Sequence, residues 1–232
     1  MRFITWNCCW KLEEKLPVLL AEMPDVAVVQ ECSRRSLEHL PEEYRGEWLG
    51  GPENHGLGLI SREPYDLCNV TMANPQGYFA RIDIEGPVRF RLIAAWNCPP
   101  EGSSYNSNLH SFLDEHLDWF DAAPILFAGD LNSQNGASFD TGKRKHCEFE
   151  ERMREKHLVD AYAAVRGPLD STLREATHRH QWNVAKPFHL DYVYVPELWL
   201  PRISGLTVGA PIFWSRFSDH SPVMLSVSDT AP

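Results

Sequence analysis

The tripeptide Ser218-Asp219-His220, followed by Ser221-Pro222 and an apolar run, is the most informative pattern in the chain. A carboxylate is a hard oxygen ligand for a divalent cation, and the neighbouring imidazole can move a proton near neutral pH. Metal-assisted hydrolysis requires both of these groups. Because Asp-His pairs are common by chance, the pattern gains weight only if other polar side chains end strands in the same way.

Several polar side chains do end apolar segments. Asn7 follows Ile4-Thr5-Trp6, Glu31 follows a run that begins at Val26, and Asp130 and Asn132 follow the run 125–129. Taken singly, each is most simply a turn residue or a solvated acid. Strand ends converge on one edge of a layered fold, so residues distant in sequence can share one cleft. The repetition therefore predicts a common site.

Asp191 differs because it lies inside the apolar segment His189-Leu190-Asp191-Tyr192-Val193. A carboxylate buried in such a strand is costly unless it is paired or hydrogen-bonded. We therefore expect a histidine partner for Asp191.

The apolar spacing predicts the elements that position these residues. It predicts strands over 2–8, 26–31, 56–61, 77–84, 88–95, 124–128, 189–195, 202–208 and 223–227. It predicts helices over 12–23, 105–121 and 148–156, the first of which is kinked at Pro17 or begins near it. This order predicts a four-layer αββα sandwich, in which two mixed β-sheets pack face to face with helices outside.

The bulk properties limit the classes of protein. The chain has 232 residues, of which 43% are hydrophobic and 23% charged, and no linker or repeat interrupts it. We expect one domain over 1–227 and a loose tail over 228–232. The net charge of −10 argues against a broad basic face for nucleic acid but does not exclude a nuclease. Six cysteines without metal-site spacing, no signal segment and no membrane span predict a soluble, cytoplasmic monomer.

The segment Thr177-His178-Arg179-His180-Gln181-Trp182-Asn183 concentrates basic and aromatic residues. One interpretation is a substrate-facing loop, in which Arg179 and a histidine bind phosphate and Trp182 stacks on a base. A second is a solvated loop with a half-buried tryptophan. A third is a zinc site formed by His178 and His180, although no cysteine or acidic cluster accompanies them.

Six short motifs occur in a fixed order: Thr5-Trp6-Asn7, Val29-Gln30-Glu31, Gly56-Leu57-Gly58-Leu59-Ile60-Ser61, Gly129-Asp130-Leu131-Asn132, His189-Leu190-Asp191-Tyr192-Val193 and Ser218-Asp219-His220-Ser221-Pro222. On these motifs the chain resembles the endonuclease/exonuclease/phosphatase superfamily. That group includes pancreatic deoxyribonuclease, abasic-site endonucleases of the exonuclease III type, sphingomyelinases and inositol-polyphosphate 5-phosphatases. The motifs span residues 5–222. Each is weak alone, and together they indicate the superfamily rather than the substrate.

The resemblance implies a metal site. Glu31 would be the principal ligand of a Mg²⁺ or Mn²⁺ ion, with Asn7 and Asp219 near it, directly or through water. Magnesium prefers oxygen ligands and keeps several waters, so a few such side chains suffice. A cation beside a phosphate neutralises the charge that grows on its oxygens.

The resemblance also implies catalytic roles. Asp130 and Asn132 would position the attacking water and stabilise the transition state. His220, oriented by Asp191, would bind a phosphate oxygen and pass a proton.

One position departs from the family pattern. Where many members place a second catalytic histidine, this chain has Trp96 followed by Asn97. An indole N–H donates a hydrogen bond but is no proton donor of comparable strength. We expect Asn97 to be able to contact phosphate, and His220 to carry the histidine chemistry alone.

Three functions stay open. The first is metal-dependent hydrolysis of DNA or RNA, as an endo- or exonuclease. The second keeps the chemistry but takes a small phosphate ester, such as a nucleotide, inositol phosphate or lipid head group, which the acidic net charge favours mildly. The third is an inactive family member used as a binding module.

Overall fold

Two six-stranded mixed β-sheets form the centre of the molecule in the computed structural model, which describes residues 1–51, 55–74, 78–121, 124–169 and 173–228. The strands are β1 (Arg2–Asn7), β2 (Val26–Cys32), β3 (Tyr44–Gly50), β4 (Gly56–Arg62), β5 (Asp66–Asn74), β6 (Phe79–Glu85), β7 (Phe90–Trp96), β8 (Ile125–Asp130), β9 (Leu158–Asp160), β10 (His178–Arg179), β11 (Pro187–Phe188), β12 (Asp191–Pro196), β13 (Ile203–Val208) and β14 (Val223–Val227). The tail expected over 228–232 falls mostly on residues 229–232, outside the described part of the chain.

In the described residues five α-helices accompany the strands: α1 (Leu12–Ala21), α2 (Tyr105–Glu115), α3 (His146–Glu155), α4 (Ala161–Arg166) and α5 (Pro211–Trp214). Short 3-10 helices occur at Arg34–His39, Leu117–Asp121, His180–Trp182 and Glu197–Arg202. Within the described residues, no helix is both long enough and apolar enough to cross a membrane.

Each sheet is built around one parallel pair. The first sheet has the order β13-β14-β1-β2-β4-β3, with β1 and β2 parallel. The second has the order β5-β6-β7-β8-β12-β9, with β7 and β8 parallel. The other neighbouring strands are antiparallel. A crossover helix joins each parallel pair, α1 in the first sheet and α2 in the second.

The side chains alternate between two packing interfaces. Phe3 and Val28 point into the central core between the sheets, whereas Ile4 and Val29 point outward into a second core beneath α1. A third core, which includes Phe127, lies between the second sheet and the helices α2 and α3. Strands buried on both faces read as continuous apolar runs. This packing confirms the predicted four-layer sandwich.

Several element boundaries differ from prediction. The helix predicted over 105–121 is wrong in its second half: α2 ends at Glu115, and residues Leu117–Asp121 form a 3-10 helix. The apolar spacing continues across that change because a 3-10 turn also places residues i and i+3 on one side. The alternative start of the first helix near Pro17 is wrong, since α1 begins at Leu12.

Two long strands, β3 and β5, were not predicted from the sequence. Both are edge strands of their sheets and leave much of their length partly or fully exposed. Edge strands need no continuous apolar pattern, so the periodicity that identified the central strands is weak in them.

Gly129 allows the two parallel strands β7 and β8 to approach each other. Its φ is +149°, and a Cβ atom built there would lie 1.8 Å from the backbone oxygen of Ala95. A side chain would therefore push apart the strands that carry Trp96 and Asp130. Only glycine fits both the conformation and the space.

We predict that Gly129→Ala lowers the free energy of unfolding by at least about 2 kcal/mol, because both the backbone conformation and the contact with Ala95 are violated. Gly205→Ala is the matched control, since its Cβ would meet nothing within 4 Å. Urea denaturation followed by circular dichroism measures both. Equal stability of the two variants would contradict this account.

His146 is a buried, neutral histidine of the third core. Its Nδ1 lies 2.9 Å from Ser133 Oγ, and the residue has no exposed surface. Burial lowers the pKa of His146 to about 3, and the Arg174 guanidinium adds to the effect. The folded state thus binds its proton far less readily than the unfolded chain, whose histidines titrate near pH 6.5.

We predict that this difference makes the protein less stable in acid. The contribution is complete above about pH 6.5 and is lost as the pH falls toward 3, because only the unfolded state then binds the proton. The loss should be on the order of a few kcal/mol. His146→Gln should show a shallower pH dependence of the unfolding free energy in denaturant titrations from pH 7 to 4. Parallel curves for the two proteins would overturn the assignment.

Candidate active site

The polar strand ends meet at one edge of the sandwich, where the two sheets face each other. In the first sheet, the end of β1 lies beside the start of β14 because the two are antiparallel. In the second sheet, β12 runs antiparallel to β8 in a register that places Asp191 directly opposite Asp130. The loop before β14 carries Asp219 and His220 to the same edge.

Asn7 joins two of the acidic side chains. It is fully buried, and its Nδ2 donates to Glu31 Oε1 at 2.9 Å and to Asp130 Oδ2 at 3.0 Å. Its Oδ1 accepts the backbone N–H of Cys9 at 3.0 Å. The side-chain NH2 group of Asn7 therefore bridges the carboxylates of Glu31 and Asp130.

The loop after β1 is strained and held by a lysine. Cys9, Trp10 and Lys11 have φ values of 50°, 68° and 47°, which side chains rarely adopt. The ammonium of Lys15 donates to the carbonyl oxygens of Cys8, Cys9 and Trp10 at 2.5, 3.0 and 2.8 Å. A cation on three aligned carbonyls stabilises this conformation, and the loop in turn presents the Cys9 N–H to Asn7.

Asp130 and Asn132 form a compact turn after β8. The backbone N–H of Asn132 donates to Asp130 Oδ1 at 2.9 Å, and its Nδ2 lies 3.2 Å from Asp130 Oδ2. Asn132 has a φ of 48°, a left-handed conformation that asparagine tolerates better than most residues. Asp130 has no exposed surface, whereas Asn132 is half-buried.

Asp191 and His220 are in direct contact. His220 Nδ1 lies 2.8 Å from Asp191 Oδ2, and both residues are buried. The backbone N–H groups of Leu190 and Asp191 donate to Thr177 Oγ1 at 2.9 and 3.0 Å, which fixes the start of β12. The remaining oxygen, Asp191 Oδ1, is buried and has no hydrogen-bond partner among the described residues.

A second imidazole lies in the site, contrary to the expectation that His220 acts alone. The rings of His178 and His220 are 4.3 Å apart between centroids, and His178 Nε2 is 3.5 Å from Asp219 Oδ2. A β-bridge links the two histidines. The second histidine thus comes from β10 rather than from the end of β7, where the family pattern led us to look for it.

The electrostatics follow from burial and from the crowding of acids. Burial acts to lower the pKa of His220, but the Asp191 and Asp130 carboxylates outweigh it and raise that pKa well above the ordinary value. Burial also raises the pKa of Asp130, against the influence of His220. The neighbouring carboxylates therefore favour the charged imidazolium form of His220, whereas burial favours the protonated form of Asp130.

The donor atoms fit a divalent cation. The carboxylates of Asp219 and Glu31 both lie near the thiol of Cys9. Burial, together with the negative charges of these two carboxylates, raises the pKa of that thiol to about 11. Two groups of side chains bring their donor atoms within 4.8 Å of one another: Asp130, Asp191 and His220, and His178, Asp219 and His220. The first group offers two carboxylates and one imidazole, the second offers one carboxylate and two imidazoles, and Glu31 belongs to neither. Asp191 Oδ1 is buried without a partner among the described residues, and a carboxylate oxygen is the donor that Mg²⁺ or Mn²⁺ prefers.

Trp96 and Asn97 have separate surroundings. Trp96 is half-buried at the end of β7, opposite Asp130 in the register, and its ring packs 4.8 Å from that of Tyr78. Asn97 has no exposed surface, and its Nδ2 donates to the carbonyl oxygens of Tyr105 and Leu131 at 3.0 and 2.6 Å. Its Oδ1 accepts from Asn108 at 2.9 Å. The structure therefore contradicts a phosphate contact for Asn97, because its side chain is fully engaged in the scaffold.

The remaining predicted binding residues lie around the small sheet of β10 and β11. His178 is inside the site, Arg179 is half-buried, and His180 and Trp182 are exposed. Neither ligand group among the described residues includes His180, so a zinc site built on His178 and His180 finds no support in the structure. His178 is buried, so the interpretation of this segment as a solvated loop is wrong for that residue.

Sequence reasoning assigned no role to three residues that organise the site: Lys15, Thr177 and Ser218. Ser218 Oγ donates to the carbonyl oxygen of Asn7 at 2.8 Å and accepts the His220 N–H at 3.0 Å. A serine two residues before His220 is a local signal for such a backbone contact. Lys15 and Thr177 carry no such signal, because their partners are set by how loops pack.

Known proteins with a similar sequence or fold identify the relatives of this chain. The model of the Endonuclease/Exonuclease/phosphatase family matches residues 4–220. In the search of curated proteins, none matches the chain.

Three solved structures are similar in fold. A 3'-5' exonuclease from Neisseria meningitidis superposes with a TM-score of 0.72 at 16% identity, covering 98% of this chain and all of its own. The 3' phosphatase NExo from Neisseria, bound to a product DNA hairpin, gives 0.69 at 16%, with 98% and 99% covered. An AP endonuclease from Archaeoglobus fulgidus gives 0.68 at 15%, with 98% and 99% covered.

We predict that Asp191→Asn lowers the pKa of His220 by roughly 1 to 3 units, because the imidazolium loses its nearest negative charge. Titration of the imidazole carbon-bound protons by NMR in the metal-free protein measures the change. Asp66→Asn, the same substitution at an exposed carboxylate paired loosely with Arg45, serves as control. A His220 titration that is unaltered by Asp191→Asn would refute the contribution of this pair.

Proposed function

The chain belongs to the endonuclease/exonuclease/phosphatase family, and from that premise we propose that it is a divalent-metal-dependent phosphodiesterase that cleaves DNA or RNA. Members of this family hydrolyse phosphoesters, which gives the class of reaction. The observation that carries the proposal is the buried Asp191–His220 pair beside Asp130, whose partner Asn7 also contacts Glu31. Acidic, amide and imidazole groups are thus arranged around one small volume.

The acidic residues of the first sheet would hold the cation. Mg²⁺ or Mn²⁺ would be bound by Glu31, with Asn7 and Asp219 beside it, and when bound it neutralises charge on the phosphate oxygens. Asn7 donates an N–H to each of its two carboxylate neighbours, which offsets their mutual repulsion before a cation binds. Lys15 holds the loop on which this geometry depends.

Asp130 and Asn132 at the end of β8, together with the Asp191–His220 pair that joins the two sheets, would carry out the hydrolysis. Asp130, steadied by Asn132, orients the attacking water and accepts its proton, a role that its raised pKa favours. His220, held as an imidazolium by Asp191, donates a hydrogen bond to a phosphate oxygen and stabilises the charge that develops there. Trp96 has no transferable proton, so the leaving oxygen takes its proton from water, Asp130 or His220.

His178 would add a second contact to phosphate. Its ring lies against His220, and its Nε2 is oriented toward Asp219, so a phosphate held by His220 is within reach of both imidazoles. Arg179, His180 and Trp182 would contact the parts of the substrate that extend from the site.

Nucleic acid is the substrate class that we favour. The similar structures include a 3'-5' exonuclease and a 3' phosphatase bound to product DNA. The basic and aromatic residues around β10 supply contacts of the kind that polynucleotides use. We also propose that the protein acts as a cytoplasmic monomer; its six cysteines are all free thiols.

A small phosphate ester is the second candidate, and the net charge of −10 is the observation that favours it. An acidic protein repels a long polyanion more strongly than a small ester. Turnover of labelled oligonucleotides, compared with that of nucleotides, inositol phosphates and lipid head groups, separates the two. Faster turnover of a small ester would move the proposal to this candidate.

We predict that Asp130→Asn and His220→Ala each reduce hydrolysis of labelled oligonucleotides in Mg²⁺ or Mn²⁺ by at least about a hundredfold, since each removes a group that acts in the transition state. Excess chelator should abolish the wild-type activity, and Asp66→Asn should leave it unchanged. Circular dichroism confirms that the variants fold.

Full activity of either variant, or activity in chelator, would refute this mechanism. A wild-type protein that hydrolyses no phosphoester of any class would instead identify an inactive binding module.

A further inference from the structure

A second cavity, here called the side cavity, opens beside residues 218–222, the segment that carries Asp219 and His220 and is here called the catalytic loop. Its volume is about 320 Å³, and its lining includes Arg179, Trp182, Val184, Pro211, Ile212 and Asp219. Since Asp219 belongs to both the side cavity and the candidate metal site, anything bound in the cavity lies next to the reacting phosphate. The volume is at the lower end of what small-molecule sites show, which suits one ring system rather than a longer segment.

The side cavity has an aromatic wall that is fixed in place. Trp182 Nε1 donates to the backbone oxygen of Ser215 at 2.9 Å, although 51% of the residue is exposed. The indole is thus anchored by its edge and keeps part of its face open. An aromatic ring held in this way is a preformed surface for stacking, because little side-chain entropy remains to be lost on binding.

The lining of the side cavity also includes large, exposed apolar side chains. Ile212 is 89% exposed and Val184 is 80% exposed. Large apolar side chains that gather so openly around one cavity, beside a polar site, indicate a surface that meets a ligand. Planar heteroaromatic rings pack well between an indole face and aliphatic side chains.

The side cavity also contains a cation without a counter-charge. The backbone N–H of Arg179 donates to the carbonyl oxygen of Asp219 at 2.9 Å, which places this residue beside the catalytic loop. Burial alone lowers the pKa of Arg179; no carboxylate of the described residues acts on its guanidinium. In a protein with a net charge of −10, an unpaired, half-buried arginine is well suited to bind a phosphate.

We propose that the side cavity is a nucleotide subsite, in which the base of one unpaired nucleotide stacks on Trp182 and its phosphate contacts Arg179. The inference rests on the proposed function and deepens it, since it names single-stranded or frayed nucleic acid as the substrate class. A base inside a duplex is stacked and paired, and it cannot enter the side cavity without being extruded. The subsite therefore favours strands whose bases are free.

Binding measurements test the subsite without relying on turnover. In the Asp130→Asn background, fluorescence anisotropy compares a labelled single-stranded oligonucleotide with a hairpin duplex of equal length. Trp182→Ala should weaken single-strand binding about tenfold, and Trp182→Phe should retain most of it, as stacking on one base requires. Arg179→Gln should weaken binding and reduce the slope of log affinity against log salt by about one.

Two control variants and one small substrate make the test specific. Leu198→Ala removes an apolar side chain of similar exposure (65%) from another surface, and Arg89→Gln removes a charge from an exposed arginine; neither should alter binding. Hydrolysis of bis(p-nitrophenyl) phosphate by the wild-type protein tests the reacting centre separately, because that ester carries no base.

The possible failures are distinct. Unchanged single-strand binding in Trp182→Ala, or an equal loss for the hairpin duplex, would overturn the subsite while leaving the proposed hydrolysis intact. Loss of binding in the control variants as well would overturn it too. A wild-type protein that cleaves neither oligonucleotides nor the small ester would instead refute the proposed function itself.

Discussion

The arrangement of the site depends on the ion pair between Asp191 and His220. Asp191 has no exposed surface and begins a strand of the second sheet, where a lone carboxylate would be very costly. His220 precedes β14 of the first sheet, so the 2.8 Å contact joins the two sheets at their common edge. The pair is at once the countercharge for a buried acid and the fixed point around which Asp130 and His178 assemble.

The scaffold makes this contact possible by bringing particular strand ends together. A parallel pair at the centre of each sheet is covered on both faces, which stiffens β1, β2, β7 and β8 and directs their carboxyl ends to one side. Gly129 lets β7 and β8 approach so closely that no side chain fits between them. Antiparallel strands β12 and β14 then return with their starting ends at the same edge. The site thus lies where rigid elements end, while short loops supply the adaptable groups.

The charge distribution resolves an apparent conflict between an acidic protein and an anionic substrate. The net charge of −10 is the sum over the whole molecule, whereas the site gathers two imidazoles, a half-buried arginine and an expected cation in one place. Local charge governs contact at short range because solvent ions screen the rest of the surface beyond roughly 8 to 10 Å. An acidic exterior therefore discourages nonspecific adhesion to polyanions without preventing binding at the site.

The sequence alone determined the layered architecture, the central strands and most of the polar residues that gather at the candidate site. Continuous apolar runs are local signals of strands buried on both faces, and polar residues at their ends are visible by type and spacing. The expectation that buried Asp191 needs a partner also followed from its apolar neighbours. The edge strands β3 and β5 were not predicted, because half-exposed strands lack a continuous apolar run.

Only the tertiary structure decided which of those residues meet. Nothing near His178 in the chain indicates that its ring packs on His220, since that contact depends on how the small sheet of β10 and β11 folds against the catalytic loop. From the sequence, the side chain of Asn97 was expected to be available for phosphate. In the structure it is hydrogen-bonded to Tyr105, Asn108 and Leu131, which lie 8 to 34 positions away. Hydrogen bonds and ring contacts depend on a short distance in space and not on the separation of the residues along the chain. Local patterns therefore specify the elements, and the packing of those elements specifies the site.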